Sequence, residues 1–189
     1  MLFQPLLGND ARPSKSLLLG ASSLISTFCQ NDRSCFELSE VKNALAKLEG
    51  ILGATCYAMG EEEEHTIIVT LKALRNIGIL TPEATPVVTA CYEDFSNTME
   101  IRLAALDFAR SQLCTAEGRN DFEASLKKIF TNKENDSELR IGAYLSLMNC
   151  PDESDVQEIK QALDNEDINQ GKINEDKNLP AFIDTFLSL

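Results

Sequence analysis

The sequence predicts an all-α fold built as a solenoid of helix pairs, and three observations carry that prediction. Related segments recur as Val69-Thr-Leu-Lys-Ala-Leu, Ile101-Arg-Leu-Ala-Ala-Leu and Leu139-Arg-Ile-Gly-Ala-Tyr, at steps of 32 and 38 residues, a spacing typical of helical repeats. Each recurrence is followed by a breaker and a second amphipathic stretch. Strand signals are nearly missing: the β-branched residues fall inside helical periods, and neither Asn-Gly nor Asp-Gly occurs. A single pair of such helices cannot bury its apolar faces alone, so neighbouring pairs must share a continuous core between two helical layers.

Taken in order, a Pro-Ser break between Arg12 and Lys15 opens a first helix, with Leu17, Ala21, Leu24, Ile25 and Phe28 at core spacing and its end at Cys29. A second runs from about Phe36 to Glu49 with Val41, Ala44, Leu45 and Leu48 on one face, Gly50 as its C-terminal cap, and an antiparallel hairpin to the first expected. Residues 51–60 admit either an extra helical turn or a glycine-broken loop. The run Glu61 to Glu64 places negative charge at the start of the next helix, where the dipole favours it; consecutive carboxylates splay around the axis, so they read as a solvated first turn rather than a cation site. Second helices follow from Thr81-Pro82, burying Val87, Val88, Cys91 and Phe95; from Asn120-Asp121, burying Phe122, Leu126, Ile129 and Phe130; and from Asp152 to Ser154, burying Val156, Ile159 and Leu163. Between the last two lies a helix with Ser137 as N-cap and Pro151 as its stop. Its expected core stripe is Ile141, Tyr144, Leu145 and Met148, with Leu139, Ala143 and Leu147 thickening the apolar side so that both flanks should be covered, and Gly142 implies the close approach of another backbone. Lys172 to Asn178 is a polar break before an apolar tail holding Phe182, Ile183, Phe186 and Leu187.

Composition excludes several functions. The formal charge of −13 repels phosphate backbones and argues against a nucleic-acid partner. No apolar run reaches the roughly 18 residues of a membrane span, and the opening residues, although they include Leu2, Phe3, Leu6 and Leu7, lack the basic start and cleavage site of an export signal. His65 is the single histidine, beside four acids and far from any nucleophile motif, so neither a Ser-His-Asp nor a Cys-His site has its base, and the chain is not expected to be an enzyme. No metal or cofactor is expected: the six cysteines form no CxxC pair, and no glycine loop matches a phosphate-cradling pattern. Cys29 and Cys35 bracket a polar turn, and they suit either a small disulfide loop in an oxidising compartment or two buried thiols among six in a cytosolic protein.

Four segments taken in order, Leu17 to Cys29, the Cys29/Cys35 pair, Leu71 to Gly78 and Leu139 to Pro151, resemble the α-helical domain of the large lipid transfer proteins, the family of vitellogenin, apolipophorin and apolipoprotein B, with apolipophorin most similar. The resemblance implies a lipovitellin-like, right-handed two-layered superhelix over residues 1–170, with 171–189 a divergent tail. It implies lipid transport, with lipid and the β-sheet domains of a longer parent protein as partners, and the arch supporting a lipid cavity. It further implies a secreted protein, a disulfide between Cys29 and Cys35, and a chain that enters the array midway and stops early. No pairing is assigned to Cys56, Cys91, Cys114 and Cys150. The alternative function is an intracellular helical-repeat scaffold that binds protein segments on its concave face.

Overall fold

The computed structural model describes residues 13–169, and of residue 33 and residues 163–169 the backbone only. All regular structure among the described residues is helical. Backbone contacts divide the chain into two compact units, residues 1–112 and 113–189, each described by itself.

The first unit contains α1 (Lys15–Cys29), a 3-10 turn (Arg33–Glu37), α2 (Ser39–Ile51), α3 (Glu61–Ile77), α4 (Thr85–Glu93) and α5 (Met99–Gln112). Helix α3 lies between α1 and α5, while α2 packs on α3 and α4 on α5. The principal neighbour of α1 is thus α3, and the expected α1–α2 hairpin is replaced by contacts of both with the 3-10 turn. Helix α3 can serve three neighbours because its buried residues, Ile67, Thr70, Leu71, Ala73, Leu74 and Ile77, cover a face wider than a single stripe. Each Ile or Leu fully buried there contributes roughly 1.5–3 kcal/mol. Gly78 ends α3 at φ 79°, its N–H donating to Leu74 O, a left-handed cap that other residues adopt only with strain.

Several local expectations shift. The core line of α1 is Leu18, Ala21, Ser22, Ile25 and Cys29, leaving Leu24 and Phe28 about half exposed. Periodicity counted Ser22 as polar, whereas its hydroxyl donates to Leu19 O at 2.8 Å and is buried without loss. In α2 the face of Val41, Ala44, Leu45 and Leu48 is buried as expected, but Gly50 lies within the helix and the left-handed residue after it is Gly53, at φ 64°. Residues 52–60 form a loop in which Cys56 is the single non-glycine at positive φ among the described residues. Helix α4 starts at Thr85 rather than Thr81: the Thr81 N–H and Oγ1 both donate to the Glu49 carboxylate, at 2.9 and 2.8 Å, which ties the turn to the end of α2. Val88 and Cys91 are buried with Tyr92, while Phe95 lies past the helix end and is largely exposed.

The second unit contains α6 (Ala116–Thr131), packed on α7 (Ser137–Leu147), and then α8 (Glu153–Asn169). Phe122, Leu126, Ile129 and Phe130 are buried as expected, although α6 starts earlier, capped by Thr115 Oγ1 accepting from Gly118 N at 3.0 Å. The cap of α7 is Asp136, whose Oδ1 accepts from Glu138 N at 2.8 Å, so Ser137 is the first helical residue. The core line is Leu139, Ala143, Tyr144 and Leu147; Ile141, Leu145 and Met148 are half-buried. The face is turned because Arg140 is drawn inward to a carbonyl, as described below. Gly142 is half-buried and repeats the positions of Ala104 and of Lys72, the latter exposed. The Leu163 side chain, the residues Leu2, Phe3, Leu6 and Leu7, and the tail 171–189 with Phe182, Ile183, Phe186 and Leu187 lie outside the described residues.

Candidate functional site

The chemistry-bearing residues are concentrated where helices end. Asp94 and Asn132 each open a turn by accepting a backbone N–H two residues on: Ser96 N at 2.8 Å for Asp94 Oδ1, Glu134 N at 3.0 Å for Asn132 Oδ1. Three residues later stand Asn97 and Asn135, both buried. Asn97 Nδ2 donates to Cys91 O at 3.1 Å and to Thr55 O at 2.8 Å, and Asn135 Nδ2 donates to Ile129 O at 3.0 Å. Five residues further, Arg102 Nε donates to Tyr92 O at 2.9 Å and Arg140 Nε to Phe130 O at 2.8 Å. The last carbonyls of α4 and α6 have no partner within their own helix, and each turn satisfies them with a buried amide and a guanidinium at the negative end of the dipole. The Arg102 guanidinium also lies 4.8 Å from the centre of the exposed Phe95 ring.

The turns are joined by cysteine pairs. Cys29, at the end of α1, and Cys35, in the 3-10 turn, stand at disulfide distance with Cα atoms 5.4 Å apart. Cys56 and Cys91 are 5.0 Å apart, and Cys114 and Cys150 are 5.3 Å apart, two pairings that the sequence left unassigned. All six cysteines are thereby accounted for. Cys56 and Cys91 are fully buried, whereas Cys114 is exposed and Cys150 half-buried.

A charged clasp adjoins the third pair. Asp152 and Asp155 exchange backbone N–H to carboxylate bonds at 2.9 and 3.0 Å, a reciprocal box at the start of α8. Asp155, its side chain 1% exposed, then receives Arg119 Nη1 at 2.8 Å and Lys127 Nζ at 2.9 Å from α6. Glu123 bonds both cations, Asp152 pairs with Arg119 and Glu158 with Lys127, and Arg119 Nη2 donates to Cys150 O. Burial pushes the Asp155 pKa up, but the Asp152 N–H and the two cations outweigh it and hold the carboxyl below its ordinary range. Burial works against the charge on Lys127, yet its carboxylate partners raise its pKa on balance.

His65 is exposed on the first turn of α3. In that turn Glu63 Oε2 accepts from Met59 N at 3.0 Å and Glu64 Oε1 from Thr98 Oγ1 at 2.9 Å, so the acidic run includes one local tie and one to the residue before α5 that its sequence did not announce. Among the described residues no group of three or more His, Cys, Asp or Glu is placed to hold a metal, and no helix is long and apolar enough to cross a membrane. A cavity of about 280 Å³ is lined by Pro13, Gly50, Ile51, Glu63, Thr66 and Ile67. That is just under the roughly 300–1,000 Å³ usual for small-molecule sites.

Helix pairs closed by recurring polar turns and cysteine pairs define an α-helical repeat protein. The family is set by comparison: the vitellogenin TPR domain model matches residues 1–171, and the chain belongs to that family. It is 28% identical to the apolipophorins of Manduca sexta over 82% of its length, 33% identical to the apolipophorins of Locusta migratoria over 87%, and 24% identical to the vitellogenin of Penaeus merguiensis over 87%. It spans 5%, 5% and 6% of those relatives respectively. No solved structure matches it significantly.

Proposed function

We propose that the chain is the helical-repeat part of a secreted lipid transport protein of the vitellogenin and apolipophorin type. In this reading it catalyses nothing and stiffens a lipid-binding cavity formed with β-sheet domains of the same parent. The observation that carries the proposal, beside family membership, is the pairing of all six cysteines, because a framework of this kind suits an oxidising compartment. We take all three pairs, Cys29–Cys35 included, to be disulfides in the mature protein. A small cavity in the first unit has Glu63 in its wall, which is poorly suited to a lipid load. Support of a cavity formed elsewhere is therefore the better role.

Counting free thiols on the unreduced chain from its own tissue tests this: none are expected, whereas six would favour the intracellular scaffold. Lipid extraction of the folded chain alone should yield no stoichiometric lipid. Many lipids per chain would overturn the supporting role in favour of a carrier role for the helices themselves.

A further inference from the structure

Asn135-Asp136-Ser137 matches the Asn-x-Ser/Thr acceptor pattern for N-linked glycans, which in secreted proteins marks surface loops. Here the acceptor is 4% exposed, and the Nδ2 that would take the sugar is donating to Ile129 O at the end of α6. We infer that Asn135 is a glycan acceptor that folding withdraws, so that glycosylation at this residue and formation of the α6–α7 turn exclude one another.

The repeat explains how the pattern arose without serving as a surface site. At the equivalent turn Asn97 is buried in the same role, but the residue two places on is Met99, and no acceptor pattern results. The asparagine is thus fixed by the orphan carbonyls at the helix end, and Ser137 completes the pattern as the first residue of α7. Glycan transfer needs the amide exposed on an extended segment. In the folded turn the Asn135 N–H donates to Asn132 O at 3.1 Å, and Arg140, five residues on, closes the same turn by donating to Phe130 O. A sugar on Nδ2 has no room where the amide is buried, so a chain modified before folding cannot close the turn. The modified chain should fail to join α6 to α7 and leave Phe122, Ile129 and Phe130 uncovered.

This inference rests on the secretory reading, and the test separates the two by supplying a secretion signal, so that the natural compartment is left to the thiol count above. The chain is expressed with that signal in glycosylating cells, alongside a Gly53→Asn variant. That change completes the same pattern with Ala54 and Thr55 at an exposed residue whose positive φ asparagine tolerates and where a Cβ meets nothing within 4 Å. Secreted protein is expected to carry a peptide-N-glycosidase-sensitive glycan at residue 53 of the variant and none at Asn135 in either chain. Adding a membrane-permeant dithiol during synthesis, or introducing Arg140→Ala, should raise Asn135 occupancy from none to a majority of the cell-retained chains. A glycan at Asn135 on secreted chains with the native helical circular dichroism would overturn the inference, as would an unmodified Asn135 in the reduced, unfolded chains that carry the residue-53 glycan.

Discussion

The Cys56–Cys91 and Cys114–Cys150 pairs span nearly equal lengths of chain, 35 and 36 residues, yet occupy opposite environments. The first is enclosed, with Cys56 and Cys91 both at 0% exposure, and it binds a loop to the helix whose end Asn97 and Arg102 also close. The second opens to solvent at Cys114 and is backed by the clasp of Arg119, Lys127 and Asp155. In a chain-entropy model the two crosslinks contribute almost the same, roughly 4 kcal/mol each. What separates them is the surroundings: the first unit stakes its closure on dry packing, the second on ion pairs that solvent and pH reach.

The largest expected effect tests that contrast directly. Replacing Cys56 and Cys91 together by Ala should cost about 5 kcal/mol, the crosslink plus a core cavity. Replacing Cys114 and Cys150 should cost about 4 kcal/mol, since little packing goes with them. Denaturant midpoints of the two double variants rank them, and equal midpoints would erase the distinction. Under a water-soluble phosphine, Cys114–Cys150 should also open first, as mass-tagged thiols would show.

Asp155→Ala comes next, at about 3 kcal/mol, because it strands two cations that Glu123 only partly satisfies. The pH dependence has a definite sign. Asp155 has its folded pKa below its unfolded value of 3.8, so its contribution is present above that value and is lost as pH falls through the lower folded pKa. Lys127 has its folded pKa raised above 10.5, so its contribution is complete below 10.5 and is lost as pH rises through the raised value. Thermal melts of the second unit should therefore be level between these limits and fall in strong acid, with Asp155→Ala flattening the acid limb. An unchanged acid limb in that variant would put the sensitivity elsewhere.

The smallest effect should be the same in both units. Arg102→Leu and Arg140→Leu each leave a helix-end carbonyl without its guanidinium and should each cost about 1–3 kcal/mol. A large difference between them would show that the turns are not equivalent, with the Phe95 ring over Arg102 as the first suspect.

Hydrophobic spacing made the helices legible, and the faces of α2 and α6 are buried residue for residue as expected. It misread α1 and α7 for one reason: Ser22 and Arg140 are polar and buried, and a hydrophobic stripe counts such residues as surface. The turns escaped because their signal is polar, an Asp or Asn followed at the third position by Asn and at the eighth by Arg. That pattern occurs at residues 94 to 102 and again at 132 to 140, in the same 38-residue register as the hydrophobic repeat. Searching the repeat for buried hydrogen-bond partners as well as apolar matches would have found it. The pairings of Cys56, Cys91, Cys114 and Cys150 were unreadable for a different reason, since they depend on which turns meet in space and not on any local spacing.

Six cysteines allow 15 ways of pairing, and the partners here are simply successive: Cys29 with Cys35, Cys56 with Cys91, Cys114 with Cys150. For a chain made from its N-terminus this order matters. At roughly 5–20 residues per second, Cys35 follows Cys29 within about a second, and that pair can close before Cys56 has been made. Cys91 then arrives when Cys56 is the one of these six thiols still waiting, and the same holds for Cys150 and Cys114. Each crosslink can therefore form during synthesis with no competitor among these six cysteines, and a stretch built this way needs little help from a disulfide isomerase.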